Sequence, residues 1–202
     1  MFEILQLGGW LMLPIFASSI LVLGICIERA WSLRRNRIVP AGTLIRAIDL
    51  INDLDEQKLA ALSESSYMGQ ILAAGILNFR MGEDSMISAI EETASRVAHD
   101  LGRYLTLLGT LASISPLLGL LGTVFGMIKI FTVLVTQGSG DIGVLAGGIS
   151  EALITTAAGI SVAIPAVLFH RHYLRKVEDL VLALESEAYK FSKSVCKVEG
   201  KV

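Results

Sequence analysis

Three long apolar windows dominate the pattern of hydrophobic and polar residues along this chain. Residues 4–27 and 104–128 carry no charged side chain, and residues 142–169 carry only one. A bilayer core about 30 Å thick requires about 20 consecutive apolar residues in a helix, and each window is long enough. The pattern therefore predicts an all-α integral membrane protein with three transmembrane helices.

Basic residues near the ends of these windows predict the orientation of the chain. Arginine and lysine residues follow the first window, precede the second and follow the third, whereas the N-terminal tip has none. Because basic loops remain in the cytoplasm, we expect the N-terminus outside and the C-terminus inside. The expected order is an outer segment at 1–9, transmembrane helices at 10–28, 104–136 and 142–169, an outer turn at 137–141, and cytoplasmic helical regions at 29–103 and 170–202.

The two cytoplasmic regions show helical periodicity. Apolar residues recur every three or four positions in 84–103, and no helix breaker separates this stretch from the second span, so one continuous helix is expected. The tail has a heptad pattern that predicts packing against the 84–103 helix, with a separate coiled coil as the alternative. Breaks are expected at 36–42 and 63–69. The heptad positions are Leu174, Val177, Val181, Leu184, Ala188, Phe191 and Val195.

Glu151 is the charged residue that interrupts the third window. It lies ten positions after Asp141, which corresponds to a depth of about 15 Å in the bilayer. An acid at that depth costs at least about 2.5–3.5 kcal/mol unless it faces a cavity or a partner, so Glu151 is a candidate functional residue. Three structural alternatives compete with a functional role: a helix that begins later, a neutral carboxyl group satisfied by its neighbours, and an ion pair with Lys129.

Small and polar residues recur at helical spacing on the second and third spans. Such stripes let two helices approach closely, and threonine hydroxyls beside a buried acid can also line a hydrated ion pathway. Thr155 lies one helical turn beyond Glu151, and Thr123 lies at a comparable depth. We expect Pro116 and Pro165 to interrupt their helices. The stripes are Ala112, Pro116, Gly119, Thr123 and Gly126, with Gly122 as a further packing residue, and Gly148, Ala152, Thr156, Gly159 and Ala163.

The composition narrows the classes of function. The chain is 53% apolar and 18% charged, which is typical of a membrane protein. Its 17 basic and 19 acidic residues leave no overall positive charge for binding nucleic acid. The two cysteines and three histidines match no metal or redox spacing, and no glycine-rich phosphate loop is present. We therefore expect neither an enzyme nor a bound metal or cofactor.

Two motifs resemble the signature helices of the MotA/TolQ/ExbB proton-channel family. Residues 115–127 read SPLLGLLGTVFGM, and residues 147–166 read GGISEALITTAAGISVAIPA. They are most similar to the ExbB branch, and next to the TolQ branch. The number of spans, the chain length and the GGWLMLP sequence at 8–14 agree with this resemblance.

The resemblance implies a subunit of a proton-driven motor in the Gram-negative inner membrane. Family members form a homopentamer whose second and third spans line a pore for a single-span partner of the ExbD or TolR type. The motion passes to an envelope-spanning TonB- or TolA-type protein, and protons are expected as coupling ion rather than sodium. The motif assigns the family glutamate to Glu151 and the pore threonines to Thr123 and Thr156, whereas helical geometry favours Thr155.

Two alternative functions remain open. A flagellar stator of the MotA type is less consistent with the sequence, because such chains usually carry four spans. A non-conducting scaffold would use the small-residue stripes and the heptad tail only for assembly. Such a scaffold would have no need for an acidic residue inside a span, so it leaves Glu151 unexplained.

Overall fold

The computed structural model of the chain describes residues 9–52, 55–137 and 142–199. This part of the chain is helical throughout, without strands, which confirms the predicted all-α class. Most of the expected outer segment at 1–9 and of the expected turn at 137–141 lies outside the described residues. The helices are α1 (Met12–Ser32), α2 (Arg35–Ile38), α3 (Thr43–Asn52), α4 (Glu56–Ser65), α5 (Tyr67–Phe79), α6 (Glu83–Gly102), α7 (Leu105–Gln137) and α8 (Ile142–Glu199).

Three helical segments are long and apolar enough to cross a membrane, as predicted: Met12–Ser32, Glu83–Thr136 and Leu145–Val195. The apolar helix α5 has only 13 residues, too few to span a bilayer core. Its apolar side chains are buried inside the protein instead.

The chain divides into two compact units. The membrane unit comprises the chain up to Glu28 together with Tyr104–His172, and the extramembrane unit comprises Arg29–Arg103 together with the tail from Tyr173. The long helix α8 contributes to both, since it continues without a break from Ile142 to Glu199. The third span therefore extends directly into the tail, as expected.

Short polar residues and glycines set the helix boundaries in the extramembrane unit. Asp55 caps α4 by accepting a hydrogen bond from the Gln57 N–H at 3.0 Å, and Ser66 caps α5 in the same way from Gly69 at 3.0 Å. Ser66 thus forms the break predicted within 63–69. The break predicted at 36–42 begins only after Ile38, because Arg35–Ile38 forms the short helix α2.

The core of the extramembrane unit forms where α5, α6 and the tail of α8 meet. A Cβ atom placed on Gly75 of α5 would lie 2.9 Å from the Ile90 side chain of α6 and 3.1 Å from the Phe191 ring of α8. Phe191 is fully buried, and so are Met68, Ile71, Leu72 and Met86. The tail therefore packs within its own chain, against α5 as well as the predicted α6.

The buried face of the tail differs from the predicted heptad pattern at its beginning. Leu174 was expected in the seam but is 43% exposed, and Val181 is only half-buried. Tyr173 and Leu180 take these places. The predicted and the observed seam both alternate steps of three and four residues, and they share Val177 and Leu184. The period of the apolar residues alone therefore does not show which of the two seams is buried. The buried positions are Tyr173, Val177, Leu180, Leu184, Ala188, Phe191 and Val195.

The long helical segment expected from residue 84 into the second span is present as Glu83–Thr136, with a turn at residues 103–104. Helix α6 ends at Gly102 and α7 begins at Leu105, with a turn in which the Arg103 N–H bonds to the Asp100 carbonyl at 3.3 Å. The last carbonyls of a helix need partners outside the helix. Arg29 is buried and donates from its guanidinium to the Leu101 carbonyl at 2.9 Å, which stabilises the end of α6.

Candidate ion-pathway site

Glu151 and Lys129 form an ion pair between the two long helices of the membrane unit. The Lys129 Nζ lies 2.8 Å from Oε2 of Glu151, and the side chains are 63% and 25% exposed, respectively. Measured along the helix axes, Glu151 is about 14 Å from the start of α8, and Lys129 about 12 Å from the end of α7. The pair therefore lies well inside the spanning segments.

This geometry bears on two of the three structural alternatives for Glu151, the late-starting helix and the ion pair. Helix α8 begins at Ile142, so Glu151 does not lie in the first helical turn, and the ion pair with Lys129 is present. Pairing lowers the cost of both charges in the membrane. Two well-packed apolar residues would nevertheless be as stable or more stable than a pair of charges. Stability alone therefore does not account for this pair.

The chain segment before α1 closes over Glu151. Gly9 has a φ of +67°, and a Cβ atom placed there would overlap Oε1 of Glu151 and lie 3.2 Å from its carboxylate carbon. Next to it, the Trp10 ring meets the Phe125 ring of α7 edge-on, with centroids 5.9 Å apart. The positive φ favours glycine at this position, and any larger residue would have to displace the Glu151 carboxylate. Gly9 was not among the predicted site residues. The one sequence feature that could have drawn attention to it is the pair of glycines, Gly8 and Gly9, before the first span.

Backbones of α7 and α8 approach closely along the small-residue stripes. A Cβ atom on Gly159 would lie 2.5 Å from the Ser115 carbonyl oxygen and 3.0 Å from the Gly119 Cα. A Cβ atom on Gly126 would likewise lie 2.9 Å from the Ala152 Cβ. The predicted packing residues that line this contact are Gly119, Gly122, Gly126, Gly148, Ala152 and Gly159.

The three candidate threonines occupy different positions at this contact. Thr155 is 1% exposed and packs against Gly122, and its hydroxyl donates to the Ala152 carbonyl at 2.9 Å. Thr156 is half-buried and donates across the contact to the Gly119 carbonyl at 3.0 Å. Thr123, also half-buried, donates to the Leu120 carbonyl at 2.6 Å. Thr156 thus lies at the edge of the contact and Thr155 inside it, whereas the Thr123 hydroxyl bonds only within its own helix.

Neither proline ends its helix, contrary to expectation. Pro116 lies within α7 and Pro165 within α8, and both helices continue beyond them. A proline removes only one intrahelical hydrogen bond, and transmembrane helices tolerate this loss where neighbouring groups compensate. In the part of the chain that the structure describes, no cluster of three or more histidine, cysteine or acidic residues is arranged to hold a metal ion.

Comparison with known proteins explains why these motifs occur together. The sequence model of the MotA/TolQ/ExbB proton channel family matches residues 63–186, a range that includes all of α7 and Glu151. The chain belongs to this family. As members of the MotA/TolQ/ExbB family are transporter-type proteins, the match argues for transport rather than catalysis. Together with the three apolar helices, it indicates a multi-pass protein of the bacterial inner membrane.

Individual relatives identify the ExbB branch of the MotA/TolQ/ExbB family, as the motifs indicated. The putative biopolymer transport protein ExbB-like 1 of Synechocystis sp. is 36% identical over 169 residues, which cover 81% of this chain and 66% of the relative. The biopolymer transport protein exbB1 of Vibrio cholerae is 34% identical over 175 residues, which cover 82% of this chain and 75% of the relative. The biopolymer transport protein ExbB of Salmonella typhimurium is 31% identical over 141 residues, which cover 65% of this chain and 56% of the relative.

Proposed function

We propose that this chain is the stator and channel subunit of a proton-driven energiser of the ExbB type. In this role it converts proton flow across the inner membrane into motion of an envelope-spanning TonB- or TolA-type protein. The observation that carries the proposal is the ion pair of Glu151, which lies within the second family motif and inside the spanning segments. Moving one charge down a potential of 100 mV yields about 2.3 kcal/mol, which is the energy available for such motion.

A partner chain is needed to complete the ion pathway. Glu151 is the only acidic residue in the three apolar windows, so a relay of titrating groups requires a second chain. We propose a single-span protein of the ExbD or TolR type inside a homopentamer of this chain, with protons rather than sodium as the coupling ion. The distribution of basic residues supports a periplasmic N-terminus and a cytoplasmic C-terminus.

Two of the threonines fit the ion pathway better than the third. Thr123 and Thr156 are half-buried, so a neighbouring chain can reach both. Thr155 is enclosed within the contact of a single chain. We therefore assign Thr123 and Thr156, as the motif does, and give Thr155 a role in packing.

Valine substitutions test this assignment, because valine keeps the branched shape of threonine and replaces the hydroxyl with a methyl group. Thr156→Val is expected to lower proton-driven transport several-fold, since the hydroxyl contacts Gly119 across the helix pair and lies at the edge of the contact. Thr155→Val, the matched control, should transport at nearly the wild-type rate, because its hydroxyl bonds only within its own helix. Equal transport by the two variants would remove the distinction.

The close packing of α7 against α8 also fits a second candidate function, a scaffold that assembles other membrane proteins without conducting ions. The two functions differ in their need for the proton gradient. For an energiser, a protonophore should stop outer-membrane uptake while the complex remains assembled. Uptake that continues after the gradient has collapsed would favour the scaffold.

A further inference from the structure

Lys129 is the charged residue near the proposed ion pathway that has no role so far. Its ammonium contacts Oε2 of Glu151 at 2.8 Å, while the Gly9 backbone lies against Oε1. Both carboxylate oxygens are thus covered, one by a cation and the other by the segment that leads into α1.

An ammonium group beside a carboxylate occupies the place that a free cation would take. Lysine carries a compact point charge on a flexible four-carbon stem, so it can leave the carboxylate without movement of the backbone. The Lys129 side chain is 63% exposed, which gives the stem room to move, whereas Glu151 is only 25% exposed. In this pair, therefore, the lysine is the more mobile partner.

We propose that Lys129 is a positioning residue that holds Glu151 in a closed state beneath Gly9. A proton or another cation that enters the pathway must displace the ammonium before it reaches the carboxylate. Gly9 and Trp10 form the cover of this closed state, since Gly9 touches the carboxylate and Trp10 is fixed against Phe125. The inference rests on the proposed function, because it assumes that Glu151 carries the ion.

The closed state can be observed without measuring transport. The chain has two tryptophans, Trp10 and Trp31, so Trp31→Phe leaves Trp10 as the only tryptophan. Trp10 is 65% exposed and its ring rests edge-on against Phe125, so its emission spectrum reports whether that contact is kept. In vesicles of bacterial phospholipid, the Trp10 emission maximum should shift after Lys129→Met and after Glu151→Gln, whereas the conservative Lys129→Arg should retain the wild-type spectrum. An unchanged spectrum in both neutralised variants would overturn the closed state.

Proton flux supplies the second part of the test. For the complex in vesicles, Lys129→Met should raise the passive proton leak on the order of tenfold, because the competing cation is removed. Lys129→Arg should remain near the wild-type leak, and adding Glu151→Gln to Lys129→Met should abolish the increase. A purely structural role for Lys129 predicts lost flux instead, and that result would overturn the gating role.

The two measurements separate this inference from the function on which it rests. A wild-type complex that conducts no protons under any applied potential would refute the proposed function and, with it, the gating role of Lys129. The Trp10 emission experiment would still decide whether Lys129 holds Glu151 beneath Gly9. Normal conduction combined with unchanged leak in Lys129→Met would refute the gating role alone.

Discussion

Glu151→Ala is expected to abolish energy-dependent uptake while leaving membrane insertion intact. The substitution removes the only acidic group in the three apolar windows and leaves Lys129 without its carboxylate partner. One unpaired lysine within a span costs about 2.5–3.5 kcal/mol, which the apolar residues of the same span offset. Uptake of a substrate that requires an energised outer membrane and the amount of protein in the membrane fraction are the two measurements.

A second carboxylate on the same helix provides the control for this prediction. Glu178 is exposed in the extramembrane part of α8, so Glu178→Ala changes the net charge equally without touching the spans. It should support normal uptake. If Glu151→Ala also supported normal uptake, the role assigned to Glu151 would be wrong.

Gly159→Ala is expected to destabilise the α7–α8 pair strongly. The added methyl group would lie 2.5 Å from the Ser115 carbonyl oxygen and 3.0 Å from the Gly119 Cα. Both are backbone atoms, so the helices must separate or shift. Overpacking of this kind costs about 1–3 kcal/mol, more than the roughly 1 kcal/mol that alanine gains over glycine in a helix. Thermal unfolding of the purified protein in detergent should show a lower midpoint.

Gly147→Ala is the matched control, because it makes the same substitution on the same helix where nothing lies within 4 Å of the new methyl group. Its unfolding midpoint should equal or slightly exceed that of the wild type. If the two variants unfolded at the same temperature, close backbone packing at Gly159 would not limit stability.

Features governed by local chemistry could be predicted well from the sequence. A window of more than 20 residues with no more than one charge has few ways to fold other than a spanning helix, so α1, α7 and the first half of α8 were evident. Glu151 stood out because an acid within such a window is costly, and an ion pair with Lys129 was one way to lower that cost. The spacing of Gly119, Gly126 and Gly159 likewise indicated close helix packing.

Features that depend on contacts between distant segments were harder to predict. Gly9 lies far from Glu151 in the sequence, and nothing in the periodicity of either segment indicates that they meet. The shift of the tail seam from Leu174 to Tyr173 depends on which side of α8 faces α5 and α6, and two patterns with the same period fit the sequence. The turn before α7 involves Arg29, whose bond to Leu101 spans 72 positions.

Proton flux through the assembled complex tests the proposed role of Glu151 most directly. The measurement places the purified complex of this chain and its single-span partner in vesicles, applies a membrane potential, and records acidification with a pH-sensitive dye inside. The wild-type complex should conduct protons, and the complex carrying Glu151→Ala should be as tight as vesicles without protein. Equal flux through both complexes would contradict an ion pathway that depends on Glu151.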